Sequence, residues 1–173
     1  VVDVVKMVTH VLGGVQLGGV GGCQADLNGD GVINVVDIVI LVNAILMPDP
    51  NRSAQTDATE ATILLDNNSI SIEADGYIGG LDMVVEFSGS HLSLDLGSAD
   101  VAEYVVNDDN TARIIMASAQ SIEDIAFITS GRITSIKEAT LVTSSDDGNT
   151  YIAMNDSDID YSGTPDAFSV GSA

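Results

Sequence analysis

The sequence predicts an α+β chain of two domains, a small helical module ahead of an antiparallel β-sandwich. Three observations predict it. Residues 1–47 carry a repeated apolar pattern of helical period; residues 48–60 replace it with Pro, Asn, Ser, Gln, Thr and Asp; and from Ala61 onward short stretches of Val, Ile, Thr and Tyr alternate with Gly, Asn, Asp and Ser clusters. The expected boundaries are 1–47 for the helical module, 48–60 for an exposed, flexible linker, 61–162 for the sandwich and 163–173 for a tail.

The helical module is a duplication. Laying Val1–Val8 on Val35–Val42 matches Val1 with Val35, Val2 with Val36, Asp3 with Asp37, Val5 with Val39 and Val8 with Val42, and further on Leu12 with Leu46. Two similar helices of about three turns follow, the first ended by Gly13-Gly14 and the second by Pro48 and Pro50. Residues 13–22 between them are glycine-rich without phosphate-loop spacing and are expected to be a flexible turn.

In the sandwich the expected strands are Thr62–Leu65, Ser69–Glu73, Gly80–Phe87, Leu92–Leu94, Ala102–Val106, Ala112–Ala117, Ile125–Thr129, Ile133–Ile136, Ala139–Thr143 and Tyr151–Met154. Alternation in Ser69-Ile70-Ser71-Ile72 sends both Ile to one face. With no Trp and 4% aromatics the core is expected to be aliphatic.

Composition narrows the partners. At 45% hydrophobic residues the 173-residue chain has enough apolar surface for a packed core. Five Lys+Arg against 26 Asp+Glu give a net charge of −21, which repels phosphate backbones and anionic lipid, so nucleic acid is excluded as a partner. No apolar run approaches the roughly 18 residues that span a bilayer, so membrane insertion is not expected. The single Cys23 allows no disulfide within the chain. The start shows no signal segment and no initiator Met, suggesting a mature product or a fragment.

One segment carries specific chemistry. Asp26-Leu27-Asn28-Gly29-Asp30-Gly31-Val32-Ile33-Asn34-Val35-Val36-Asp37 places side-chain oxygens at positions 1, 3, 5, 9 and 12 of a twelve-residue loop, with glycine at 6 and the Val32 carbonyl at 7. Calcium is a hard cation that takes 6–8 oxygens, and Gly31 permits the sharp turn that brings them round it. Ile33 is expected to point inward and tie the loop to the helices. Asp37 falls in the first turn of the next helix, where a carboxylate also favours the helix dipole.

With aspartate in the last position, Asp26–Leu46 resembles the second duplicated segment of a type I dockerin, in which Asp26, Asn28, Asp30, Asn34 and Asp37 would be the side-chain ligands of Ca2+. On that alignment Val1 matches the tenth position of a first loop, leaving Asp3 as its side-chain ligand, to be completed by upstream residues or a neighbouring chain. The tenth and eleventh positions contact partners in that family; here they are Val1-Val2 and Val35-Val36, where hydroxyl residues are common. With Val5 and Val39 they make an apolar face suited to a core or to a partner-binding surface.

Downstream, Gly76–Phe87 and Leu92–Leu96 are similar to the early strands of cohesin-like and related carbohydrate-binding sandwiches, over roughly residues 62–155. Cohesins are the partners of dockerins. The two resemblances together imply a secreted, non-catalytic, calcium-stabilised assembly module, extracellular or on the cell surface. Its dockerin-like part would engage a cohesin-like domain, its own or that of the next copy in a head-to-tail filament. The alternative they imply is the C-terminal scaffold-docking and glycan-binding portion of a larger secreted polysaccharide-active protein.

Other patterns point less far. Asp156, Asp158 and Asp160 alternate, but Tyr161 stands where a cation loop wants glycine, so a solvated acidic strand or turn is expected. Asn51, Asn67 and Asn155 begin glycosylation triplets. His10 and His91 lack partnered nucleophile motifs, so no enzyme is expected.

Overall fold

The computed structural model describes residues 2–46, 56–66, 68–143, 151–154 and 159–163. Helix α1 (Val2–Val11) buries Val4, Met7, Val8 and Val11, the stripe of an amphipathic helix. It ends at the expected glycine pair in a Schellman closure. Gly13, at φ 86°, donates its N–H to His10 O at 3.0 Å, and Gly14 donates to Thr9 O at 2.8 Å, satisfying two carbonyls that a helix end leaves open.

The connector expected as a flexible turn holds a short helix instead, α2 (Val20–Ala25). Its glycines disfavour a helix, and tertiary packing compensates. Ala25 is buried among α1 and the third helix, Leu17 packs on the same cluster, and His10 Nδ1 accepts the Leu17 N–H at 3.0 Å. Helix α3 (Val35–Leu46) starts with a reciprocal cap: Asn34 Oδ1 accepts the Val36 N–H at 2.7 Å and Asp37 Oδ2 accepts the Asn34 N–H at 3.0 Å. The expected breakers Pro48 and Pro50 lie outside the described residues.

Among the described residues eight strands follow: β1 (Ala61–Asp66), β2 (Ser69–Ala74), β3 (Gly80–Leu96), β4 (Val101–Val106), β5 (Thr111–Ala117), β6 (Asp124–Val142), β7 (Tyr151–Met154) and β8 (Ile159–Gly163). They form a sheet in the order β4-β5-β3-β6-β2-β1-β8, with β7 beside β6, antiparallel except for the β1–β8 pair. Two expected strands are fused in the 17-residue β3 and three in the 19-residue β6. The ladder bends without ending because its register shifts between Ser88 and Ser93, where Gly89 and Gly131 take φ of 115° and 82°. A Cβ on Gly131 would stand 2.6 Å from His91 O.

The bend carries β3 and β6 through both halves of the sheet. The start of β3 pairs with β5 and the end of β6, and its end pairs with the start of β6, which continues to β2 and β1. Ile63, Ile70, Met83, Val85, Ile114 and Met116 meet in one core, almost wholly aliphatic as expected. The protein is thus mostly antiparallel β-sheet with few helices.

Helices and sheet are not separated as the linker suggested. Ile115 and Ala117 of β5 and Val142 of β6 belong to a second core together with Val35, Val36, Val39 and Val42 of α3. Gly80 lets the helix approach, since a Cβ there would collide with Val39 Cγ2. A polar latch adds to this. Arg113 forks onto Asp82, Nε to Oδ1 at 2.9 Å and Nη2 to Oδ2 at 2.6 Å, and its Nη1 donates to Val11 O at the end of α1 at 2.7 Å. The hydrogen bonds to Asp82 hold the Arg113 pKa above its ordinary value. Of the expected linker, residues 48–55 lie outside the described residues and 56–60 are not free. Ala58 is buried, and residues 56–60 are tied down by Tyr77 N–H to Thr56 O at 2.7 Å, by Ala58 N–H to Tyr77 O at 3.2 Å and by Asp75, which accepts from Thr59 and Glu60.

Candidate metal centre

The segment from Asp26 to Asp37 wraps around its own carboxylates. Asp26 Oδ1 accepts the N–H groups of Gly29 at 2.8 Å and Asp30 at 3.1 Å, and its Oδ2 accepts that of Gly31 at 2.9 Å. Asn28 Oδ1 accepts the Asp30 N–H at 3.1 Å and Asp30 Oδ1 accepts the Val32 N–H at 2.8 Å. Gly31 takes φ 88°, the turn its position demands; Gly29, at 75°, needs the left-handed region too, which the loop spacing alone did not indicate.

Asp37 closes the ring from the far end. Its carboxylate is fully buried, with Oδ1 accepting from Leu27 N–H at 2.7 Å and Asn28 N–H at 3.3 Å while Oδ2 caps α3. Burial pushes its pKa above the ordinary carboxylate value and the charge of Asp26 pushes the same way, although the three backbone hydrogen bonds oppose both. A desolvated carboxylate facing a second one is an arrangement that a cation relieves.

The donors suit a hard cation. Among the described residues no three His, Cys, Asp or Glu side chains are grouped so as to hold a metal, the carboxylates of Asp26, Asp30 and Asp37 included. The three carboxylates of the loop would be completed by the amide oxygens of Asn28 and Asn34 and the carbonyl of Val32, whose side chain is exposed. Such an all-oxygen set, supplied by twelve consecutive residues, suits calcium better than the stricter octahedron of magnesium. Ile33 packs against the helical core as expected. Asp3 is exposed in the first turn of α1, 3.9 Å from Lys6 Nζ.

The expected partner-binding face is largely consumed inside the chain. Val35, Val36 and Val39 are buried, because α3 covers Ile115 and Ala117 of β5 and Val142 of β6, so here they are turned to the sheet of their own chain. Val5 is exposed; Val1 and the side chain of Val2 lie outside the described residues.

Other candidates fall in ordinary settings or beyond the described residues. His91, in the exposed bend of β3, meets Ser130 Oγ through Nε2 at 2.8 Å and Ser90 Oγ through Nδ1 at 3.2 Å, a cluster that sequence separation concealed. Tyr77 and Phe87 are buried, Tyr104 is half-buried with its hydroxyl accepting the Leu94 N–H at 3.3 Å, and Phe127 is exposed. These four rings form no exposed aromatic strip. Asn51, Asn67, Asn155, Asp156, Asp158 and the tail beyond residue 163 lie outside the described residues, while Asp160 pairs with Leu64 in the β1–β8 ladder. Compared with known proteins, the chain matches no family model, no curated protein and no solved structure.

Proposed function

We propose that this chain is a secreted, non-catalytic assembly module, extracellular or on the cell surface, in which calcium-stabilised dockerin-like helices engage a cohesin-like β-sandwich. The observation that carries this reading is the route from loop to sheet. The helix capped by Asp37 presses Val35 and Val39 towards Gly80, Ile115, Ala117 and Val142.

Asp26, Asn28, Asp30, Asn34 and Asp37 would hold Ca2+ with the Val32 carbonyl. The bound ion supplies positive charge that offsets the three carboxylates. Asp37 joins the two ends of the loop through one side chain, because it fixes Leu27 and Asn28 while capping α3. The loop thereby sets the angle at which α3 meets the sheet. Calcium at the millimolar level typical outside cells keeps a site of modest affinity loaded.

Helices that cover the sheet of their own chain also match that of the next copy. Exchange of the helical part between copies would join them head to tail, a heterologous contact that propagates where it does not close. The glycan-binding alternative draws less support, since two of the four described rings that could stack on sugars are buried.

Circular dichroism and sedimentation velocity, each with excess calcium and with a chelator, test the reading. Chelation is expected to lower the helical signal and to shift the distribution of oligomers, and calcium to restore both where magnesium does not. If helicity and self-association are both unchanged, the reading fails.

A further inference from the structure

A groove of about 960 Å³ runs between α1, the end of α3 and strand β4. Every residue from 99 to 105 lines it. Successive side chains of a strand point to opposite faces, so a groove touched by each residue in turn follows the edge of the strand and not one of its faces. β4 pairs with β5 on one side and with no described strand on the other, which leaves its outer N–H and C=O groups along the groove. The facing wall is apolar, with Val5, Ile45 and Leu46 exposed in it.

The two faces of this edge differ. Ala102 and Tyr104 pack on the sheet core, and Val106 follows them on that face, exposed. Val101 packs on the helical core, and Glu103 and Val105 share its side of the strand. Glu103 is exposed and makes no ion pair among the described residues.

From this geometry we infer that the edge of β4 accepts an extended peptide strand from a partner protein, one with apolar side chains on both faces and a Lys or Arg opposite Glu103. Backbone hydrogen bonds to the edge supply affinity, the apolar wall buries alternate side chains, and Glu103 selects the charge. A segment of another copy is a poor occupant. With 26 Asp+Glu against five Lys+Arg, most extended stretches of this chain would bring a neutral or acidic residue to Glu103. A charge on an edge strand turns such self-pairing away. The inference concerns a surface remote in kind from the calcium loop and does not rest on the loop binding metal.

The probe is a fluorescein-labelled heptapeptide, Thr-Val-Val-Lys-Val-Val-Thr, titrated into the whole chain with calcium present and followed by anisotropy. Saturable binding is expected at low ionic strength. It should weaken about threefold or more when glutamate replaces the peptide lysine, and vanish when prolines replace the two residues before it, one of which must aim its N–H at the edge. Glu103→Lys, an exposed substitution checked for folding by circular dichroism, should reverse the order of the lysine and glutamate peptides. No saturable binding would overturn the inference, as would equal binding of the proline peptide, which would mean an apolar groove without strand addition. An unchanged order in Glu103→Lys would overturn it too, as would a dimer that persists under a chelator and blocks the peptide, by showing a second copy in the groove.

Discussion

Val1-Val2-Asp3 and Val35-Val36-Asp37 carry the same three residues into two similar helices, yet the helices meet opposite surroundings. The Asp3 side chain is 83% exposed, whereas Asp37 is 0% exposed. Val5 is 59% exposed and its counterpart Val39 is 0%. Val8 and Val42 share a fate, as do Val4 and Ile38, all four buried in the helical core. The difference lies outside the repeat. Helix α3 has α1 on one side and β3, β5 and β6 on another, while α1 packs chiefly on α3 and reaches the sheet through the Arg113 hydrogen bond to Val11. A duplicated sequence thus acquires two roles according to how many surfaces surround each copy.

The aspartates should separate the two copies most widely. Asp37→Ala strands three backbone N–H groups in a buried place, and a loss of about 3 to 5 kcal/mol is expected in urea denaturation with calcium present. Asp3→Ala removes an exposed side chain with one distant ion pair and should change stability by no more than about 0.5 kcal/mol. Equal losses would mean that Asp37 is not the closing residue of its loop.

The valines sharpen the same contrast. Val39→Ala should cost about 2 kcal/mol and Val5→Ala less than about 0.5 kcal/mol. Gly80 supplies an internal check. Gly80→Ala drives a methyl into Val39 Cγ2 and should destabilise by about 1 to 3 kcal/mol, but less when Val39→Ala makes room. A coupling of at least about 0.5 kcal/mol in the double-mutant cycle is the expected result; strict additivity would show that α3 does not sit on Gly80.

What the sequence revealed follows the range of the interactions. The turn at Gly31, the inward Ile33 and the Gly13-Gly14 stop are set within one or two turns of chain, so they were legible. So were most strands, because alternation is local. Helix α2 was not, since its glycines argue against a helix and only contacts with α1 and α3 favour one. The unbroken β3 and β6 were hidden because Gly89 and Gly131 read as stops but serve as bends. The largest omission, the seating of α3 on the sheet, did leave a trace. Ile114-Ile115-Met116-Ala117 is apolar on both faces, the mark of a strand covered on both sides. Arg113 with Asp82 gave no such sign, for nothing in one chain segment announces a hydrogen bond to Val11.

The smallest expected effect sets Asp37 beside another carboxylate with a similar set of donors. Asp75 accepts from Thr59 N–H, Glu60 N–H and the Thr59 hydroxyl, but it is exposed. The backbone bond from Glu60 leads the other donors in lowering its pKa from 3.8 to about 2, outweighing desolvation, whereas in Asp37 desolvation is the larger and the pKa rises. A carboxyl whose folded pKa lies below its unfolded value binds its proton more weakly in the folded state. Its contribution is therefore complete above 3.8 and lost as pH falls through about 2. Asp66, Glu86 and Asp109 are lowered as well, so acid should weaken the protein even without Asp75. In a pH series of urea midpoints, Asp75→Asn should start below the natural chain at neutral pH and fall less steeply through that window. Parallel curves would show that the hydrogen bonds from Thr59 and Glu60 do not hold the end of the linker to the sheet in solution.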